Sequence, residues 1–210
     1  MSDSNTTALL YDVAYIAKMK VLDATDRLMQ KTPLDKLTVK DICAAAGVSR
    51  PTFYRYFKDK YDIAQWYWTF LAENCLKGTG TTITWYESNL NMLREFQARY
   101  DFFLHSFQSE TYNSCREHGY RCRVDYLRET ITTSLGIELT EELDFQIRFF
   151  VDAESRAVVN WLKEGMPNPP ETIARYIESC VPRRLYELLD ATVRSEQKKA
   201  AELPLIPFAN

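Results

Sequence analysis

The chain has 210 residues, 46% of them apolar and 26% charged, which is the composition of a globular protein long enough to bury a core. No apolar run approaches the roughly 18 residues of a membrane span, and the polar start, residues 1–7, lacks an apolar signal core, so a cytoplasmic protein is expected. The net charge of −3 argues against a nucleic-acid binder, but residues 1–60 hold ten Lys and Arg against seven Asp, a net of +3, and residues 61–210 carry −6.

Glycine is scarce, proline is confined to a few places, and no strand-like alternation of useful length occurs, so an all-α protein is expected. Ala14, Ala17, Val21, Ala24 and Leu28 recur at helical spacing and predict a first helix over about Tyr11–Gln30, closed by Pro33. Thr38 reads as an N-cap with Asp41 as its capping-box partner, opening a helix over Val39–Ala46. Gly47 stops it, since the turn needs a residue that tolerates positive φ. Ser49 caps the next helix, about Arg50–Phe57, with Pro51 in its first turn. Asp59 caps a longer one from Lys60 to about Leu76, and the stretch 78–82 is the clearest break in the chain. Beyond it, helices are expected over about Ile83–Arg99, from Asp101 to Phe107, and between Glu110 and Leu135, with Gly136 past that last end. Thr140 opens a helix that ends at Gly165, and a last helix runs from Glu171 to about Asp190, kinked or split by Pro182. The tail, residues 201–210, has two prolines and no helical pattern; its apolar run from Leu203 to Phe208 would suit a protein partner.

The informative stretch is Leu37–Lys60, LTVKDICAAAGVSRPTFYRYFKDK. It is helix, tight glycine turn, helix, each helix capped, the layout that holds a second helix out toward a major groove. Ile42, Ala46, Val48, Phe53 and Phe57 supply apolar contacts, and the small Cys43, Ala44 and Ala45 let two helices approach closely. The other side of the second helix offers Arg50, Thr52, Tyr54, Arg55 and Tyr56, groups that reach phosphates and base edges. Lys60 and the backbone N–H groups near Thr38 and Ser49 can meet phosphates.

AAAGVSRPTFYRYFKDK strongly resembles the signature of TetR-type regulators, in which a three-helix DNA head precedes a connecting fourth helix. The resemblance implies that Thr38, Ser49, Arg50, Thr52, Tyr54, Tyr56 and Lys60 lie at a DNA face. Tyr56 departs from the histidine often found there, though its hydroxyl can still donate to a phosphate. The expected organisation is a helix-turn-helix head over residues 1–60 and a larger helical ligand-binding and dimerisation domain over residues 61–200. By the same resemblance, the segment around Val159–Met166 and the proline-led helix after it form a four-helix dimer interface, with Phe150, Val158, Trp161, Leu162, Ile177 and Leu185 as its candidates.

The second domain is rich in aromatic residues, which either line a ligand pocket between helices or make plain core and dimer surface. Tyr67, Phe70, Trp85, Phe103, Phe107 and Phe149 are the pocket candidates, and Arg94, Arg99 and His105 could meet an anionic head group. Cys115, His118 and Cys122 share a helix face, but span about 10 Å along it and cannot all reach one ion without bending. The five widely spaced cysteines lack CxxC and read as reduced thiols. No catalytic or cofactor motif occurs, so neither an enzyme activity, a metal nor a cofactor is expected. The expectation is a homodimeric repressor that releases double-stranded operator DNA on binding a small molecule, its rival being a regulator controlled by a protein partner.

Overall fold

The computed structural model describes residues 3–108, 115–190 and 193–194, with side chains from Val13 onward. The elements in chain order are α1 (Asp3–Met29), α2 (Val39–Ala46), α3 (Arg50–Tyr56), α4 (Lys60–Cys75), α5 (Trp85–Ala98), α6 (Tyr100–Gln108), α7 (Cys115–Glu129), α8 (Glu141–Lys163), α9 (Pro170–Ser179) and α10 (Arg183–Leu189). Among the described residues the only non-helical pairing is an isolated bridge between Thr79 and Ile83. The all-α expectation holds. The tail at 201–210, with its apolar run, and the expected helix start at Glu110 lie outside the described residues.

Local signals account for most boundaries. Thr38 and Asp41 cap α2 reciprocally: the Asp41 N–H donates to Thr38 Oγ1 at 3.2 Å, and the Thr38 N–H donates to Asp41 Oδ2 at 3.1 Å. Gly47 ends the helix at φ 64°, the left-handed region. Ser49 Oγ accepts from the Thr52 N–H at 3.1 Å to open α3, and Asp59 Oδ1 accepts from the N–H groups of Tyr61 and Asp62 to open α4. Thr84 and Glu87 form a second capping box, at α5, which the sequence reading missed. Two further differences are structural. Helix α7 widens at its end into a π-helical turn, Thr130–Ser134, closed by the Leu135 N–H on the Thr130 carbonyl. Pro182 lacks an N–H to continue a helix, and it separates α9 from α10 outright.

Helices α1, α2 and α3 form the head. Its centre is built from Leu22, Ile42, Phe53 and Phe57, all fully or nearly fully buried. Ala44 and Ala45 are exposed, so their smallness does not serve helix packing as expected; only Cys43 of that trio is buried. Helix α4 leaves the head and continues into the body. It buries Ile63, Ala64, Tyr67, Trp68, Leu71, Ala72 and Cys75 in a broad stripe against α7 and α5. Helix α7 packs on α8, and α5 on α9. The buried side chains of head and body belong to one continuous cluster.

Two polar ties hold distant segments. Arg99, at the end of α5, donates through Nη1 to Asp26 at 2.7 Å and through Nη2 to Asp23 at 2.8 Å, both on α1. Its Nε reaches the Tyr67 hydroxyl at 3.2 Å. At the other end of the body, the fully buried Asp190 accepts the Trp85 N–H at 2.6 Å and so caps the first turn of α5 from across the fold. The segment 78–82, expected as a break between helices, is a compact turn lying against α10: Gly80 has φ 86°, and a Cβ built on it would stand 2.6 Å from Leu189 Cδ2.

Gly80→Ala is therefore expected to destabilise the protein by about 2 kcal/mol, through both strained φ and overpacking, read as a lower urea midpoint with unchanged slope. Arg99→Met leaves Asp23 and Asp26 side by side without their partner; a loss of about 2 kcal/mol is expected, and a double-mutant cycle with Asp26→Asn should return a coupling of at least about 0.5 kcal/mol.

Candidate nucleic-acid interface and the cavity behind it

The helix-turn-helix consists of α2 and α3. Burial of Phe53, and of Phe57 just past the end of α3, fixes the rotation of α3, so Arg50, Tyr54 and Arg55 face outward. Tyr54 is half exposed, with its ring edge against Phe53 at a centroid distance of 5.4 Å. Thr38 and Ser49 are exposed at the helix starts, but their hydroxyls are engaged in caps, and Ser49 Oγ also lies 2.8 Å from Thr52 Oγ1. The Thr38 hydroxyl and N–H hold the Asp41 carboxyl below its usual range.

Two residues of the expected face stand differently. Tyr56 is partly buried and packs against the core. Lys60 Nζ donates to the carbonyls of Asp35 at 2.6 Å and Leu37 at 2.9 Å, closing the turn between α1 and α2. Its ammonium is thus engaged inside the head. That partner lies 23 to 25 residues away, and no local pattern announces it.

Behind the head, a cavity of about 60 Å³ lies between α4, α5, α7 and α8, with the end of α6 at its rim. Trp68, Met92, Phe96, Phe107, Tyr120 and Val158 give it apolar walls, and Arg123 and Glu154 border it. Of the six aromatics expected around a ligand, only Phe107 lines it. Tyr67, Phe70 and Phe103 stack with one another instead, with Tyr67 at 6.3 Å from Phe70 and 5.8 Å from Phe103. Trp85 is fully buried between Phe150 and the Arg123 guanidinium. Phe149 is 67% exposed on the outside of α8. Periodicity marks a side chain as apolar-facing, but it does not say whether it meets a void or another ring. The cationic trio fares similarly: Arg94 pairs with Glu171 at 2.8 Å, Arg99 is held by Asp23 and Asp26, and His105 is half-buried.

The expected dimer residues Phe150, Val158, Trp161, Leu162, Ile177 and Leu185 are all buried within the single chain. Trp161 Nε1 even donates to the Asn168 carbonyl at 2.9 Å. The outer surface of the same two helices carries other apolar side chains, Phe145 and Phe149 on α8 and Tyr176 on α9, each more than half exposed. Phe149, Ala153, Ala157, Ile173 and Tyr176 line an open apolar groove there. The helices named from the sequence are the ones with an exposed apolar face; of the residues expected at the interface, Phe150 and Ile177 border the groove, while Val158, Trp161, Leu162 and Leu185 pack inward.

Cys115, His118 and Cys122 do not converge on a common point. Cys115 Sγ turns to the Ala64 carbonyl, while His118 Nε2 is 2.7 Å from Thr69 Oγ1 and 3.5 Å from Cys122 Sγ. Burial lowers the His118 pKa and raises those of Cys43, Cys115 and Cys122, and pushes Cys75 up to about 11. These thiols are protonated at neutral pH and are poor nucleophiles.

Residues 21–65 match the family described as bacterial regulatory proteins, tetR family, and residues 83–182 match a transcriptional regulator C-terminal region. The HTH-type transcriptional regulator YxbF of Bacillus subtilis (strain 168) is 25% identical over 198 residues, covering 89% of this chain and 50% of that protein. The chain thus spans about half the length of that relative. Among solved structures, the dihydroxyacetone kinase operon activator DhaS superposes with a TM-score of 0.62 at 18% identity, covering 84% of this chain and 99% of that one. A TetR transcriptional regulator from Streptococcus agalactiae 2603V gives 0.54 at 23% identity over 84% and 99%. The regulator FadR of Bacillus subtilis, solved with stearoyl-CoA, gives 0.53 at 15% identity over 76% and 94%. These structural likenesses establish the fold, and the two matched regions together take in the helix-turn-helix, the start of the connecting helix and most of the described body. The chain belongs to the tetR family of bacterial regulatory proteins.

Proposed function

We propose that the protein is a sequence-specific DNA-binding transcription regulator that works as a homodimer, with residues 1–60 as the DNA head and residues 61–200 as the regulatory and dimerisation part. The observation that carries this reading is α3 itself. It is capped at Ser49, anchored by Phe53, and presents Arg50, Tyr54 and Arg55 outward on a head of net charge +3. Arg50, Thr52, Tyr54 and Arg55, beside the helix starts at Thr38 and Ser49, are the contacts to DNA. Tyr56 and Lys60 support the head from within. Two such helices reach successive major grooves when the heads are about 34 Å apart.

The dimer forms through the outer faces of α8 and α9, where Phe145, Phe149 and Tyr176 are exposed. Apolar side chains grouped this way, with a groove beside them, are what an interface between copies buries. A small molecule bound in the body biases the position of α4, and thereby the spacing of the heads and their grip on an operator. A second reading, control by a protein partner, is supported by the size of the cavity. At about 60 Å³ it falls well below the roughly 300–1,000 Å³ of ordinary small-molecule pockets.

A gel shift on the DNA upstream of the protein's own gene, with excess competitor, tests DNA binding. Arg50→Ala should weaken a competitor-resistant shift by at least about tenfold with unchanged helical signal and oligomeric state; an undiminished shift would rule out that face. Phe149→Glu should turn the dimer into a monomer in sedimentation and reduce operator affinity with it. A dimer that persists would mean that the subunits meet elsewhere.

A further inference from the structure

The cavity between α4, α5, α7 and α8 is bordered by a buried ion pair with two valences left over. Arg123, on α7, is 3% exposed. Its Nε faces Glu154 Oε2 of α8 at 3.4 Å, its Nη1 donates to Thr79 Oγ1 at 3.2 Å, and its plane lies over the Trp85 ring at 5.0 Å. The Glu154 side chain is 8% exposed. Arg123 Nη2 and Glu154 Oε1 have no hydrogen-bond partner although both are buried. A buried donor and a buried acceptor left unmade are costly to the fold, and charged ones more so. Here one of each remains on the same pair, beside a cavity that both residues line.

The chemistry of what fits follows from charge. The guanidinium and carboxylate already neutralise each other. An anion placed there would gain Nη2 and be repelled by Oε1; a cation would do the reverse. The other charged residue of the lining, Arg116, is already paired with Asp152 at 3.8 Å, so either would bring an uncompensated charge into a largely apolar chamber. A neutral group with an acceptor and a donor on one edge satisfies both atoms at once, and a primary amide has that edge: its carbonyl accepts from Nη2 and its N–H donates to Oε1. The cavity sets the size. At about 60 Å³ it is smaller than the roughly 150 Å³ that admits benzene, and the walls beyond the ion pair include the apolar Met92, Phe96 and Val158 and the polar Asn89 and Ser155. The Trp68 wall is kept tight by Gly119, where a Cβ would come within 2.7 Å of the indole.

The geometry points to Arg123 and Glu154 as the recognition pair of an effector site for a small, neutral, amide-type molecule with a short apolar tail. The inference rests on the reading of the body as the effector-binding part and adds the chemical class. Trp68 gives the site a route to the head, because it stands on α4, the helix that joins head and body.

The test titrates the full chain with three near-isosteric probes, propionamide, propionate and propionamidinium, reading tryptophan fluorescence and unfolding temperature. Propionamide should give a saturable change, weak because it has only about five heavy atoms, with both ions at least about tenfold weaker. Glu154→Gln removes the negative charge while keeping the shape, so the preference should reverse and propionate should overtake the amide. A wild-type protein that binds propionate as well as propionamide would overturn the proposal. So would an absence of any saturable change up to about 100 mM, which would make the pair a structural ion pair with water alone beside it. The operator gel shift is run alongside. If operator binding persists while the amide fails to bind, this inference falls and the DNA-binding reading stands. If the amide binds but leaves operator affinity unchanged, the site stands and control of DNA binding through it falls.

Discussion

Head and body share a single hydrophobic core, and α4 is the element that makes it continuous. Phe57 of the head lies 5.9 Å from Trp66 of α4, and within the next four residues the same helix places Tyr67 against Phe103 and Trp68 over Gly119. Packed interiors do not deform smoothly. The head therefore cannot tilt as a loosely tethered module. A change of its angle requires α4 to repack against α7 and α5, which are also walls of the cavity. Coupling between effector and DNA, in the proposed reading, is a consequence of this shared packing and needs no separate signalling path.

Polar ties then restrict the ways in which that core can move. Arg99 draws Asp23 and Asp26 of α1 to the end of α5, and its contact with the Tyr67 hydroxyl brings α4 into the same cluster. Lys60 locks the start of α4 to the turn carbonyls that precede α2. Asp190 holds the start of α5 from the far end of the chain. Each is a charged group with more than one partner, the class of hydrogen bond that contributes most when it is partly desolvated. The Arg123–Glu154 pair differs from these in having valences left over, and that difference singles it out as a recognition site.

The body is economical in another way. Helix α8 buries Phe150, Val151, Val158, Trp161 and Leu162 inward and still shows Phe145 and Phe149 to the outside. Inward packing and an outer apolar stripe coexist because 23 residues make more than six turns, enough for two faces to serve two partners. The rotation of that helix follows from its packing on α7 and α6, so the subunit's own core decides which residues remain for a second copy.

From the sequence alone, the all-α class, the capped helix-turn-helix with its glycine turn, the outward Arg50, Tyr54 and Arg55 of α3 and the break at Pro182 could be read, since each depends on residues within a few positions of one another. Thr38 with Asp41, Gly47, Ser49 with Pro51, and Asp59 are local physics, and the backbone obeys them. Tertiary structure alone decided that Lys60 and Arg99 are held inside the protein, that Trp85 is core, that Phe149 faces outward, and that Arg123 and Glu154 meet beside a cavity. Those pairings join residues 23 to 105 positions apart, and a one-dimensional pattern that distinguishes apolar from polar positions does not carry the angle at which two helices cross.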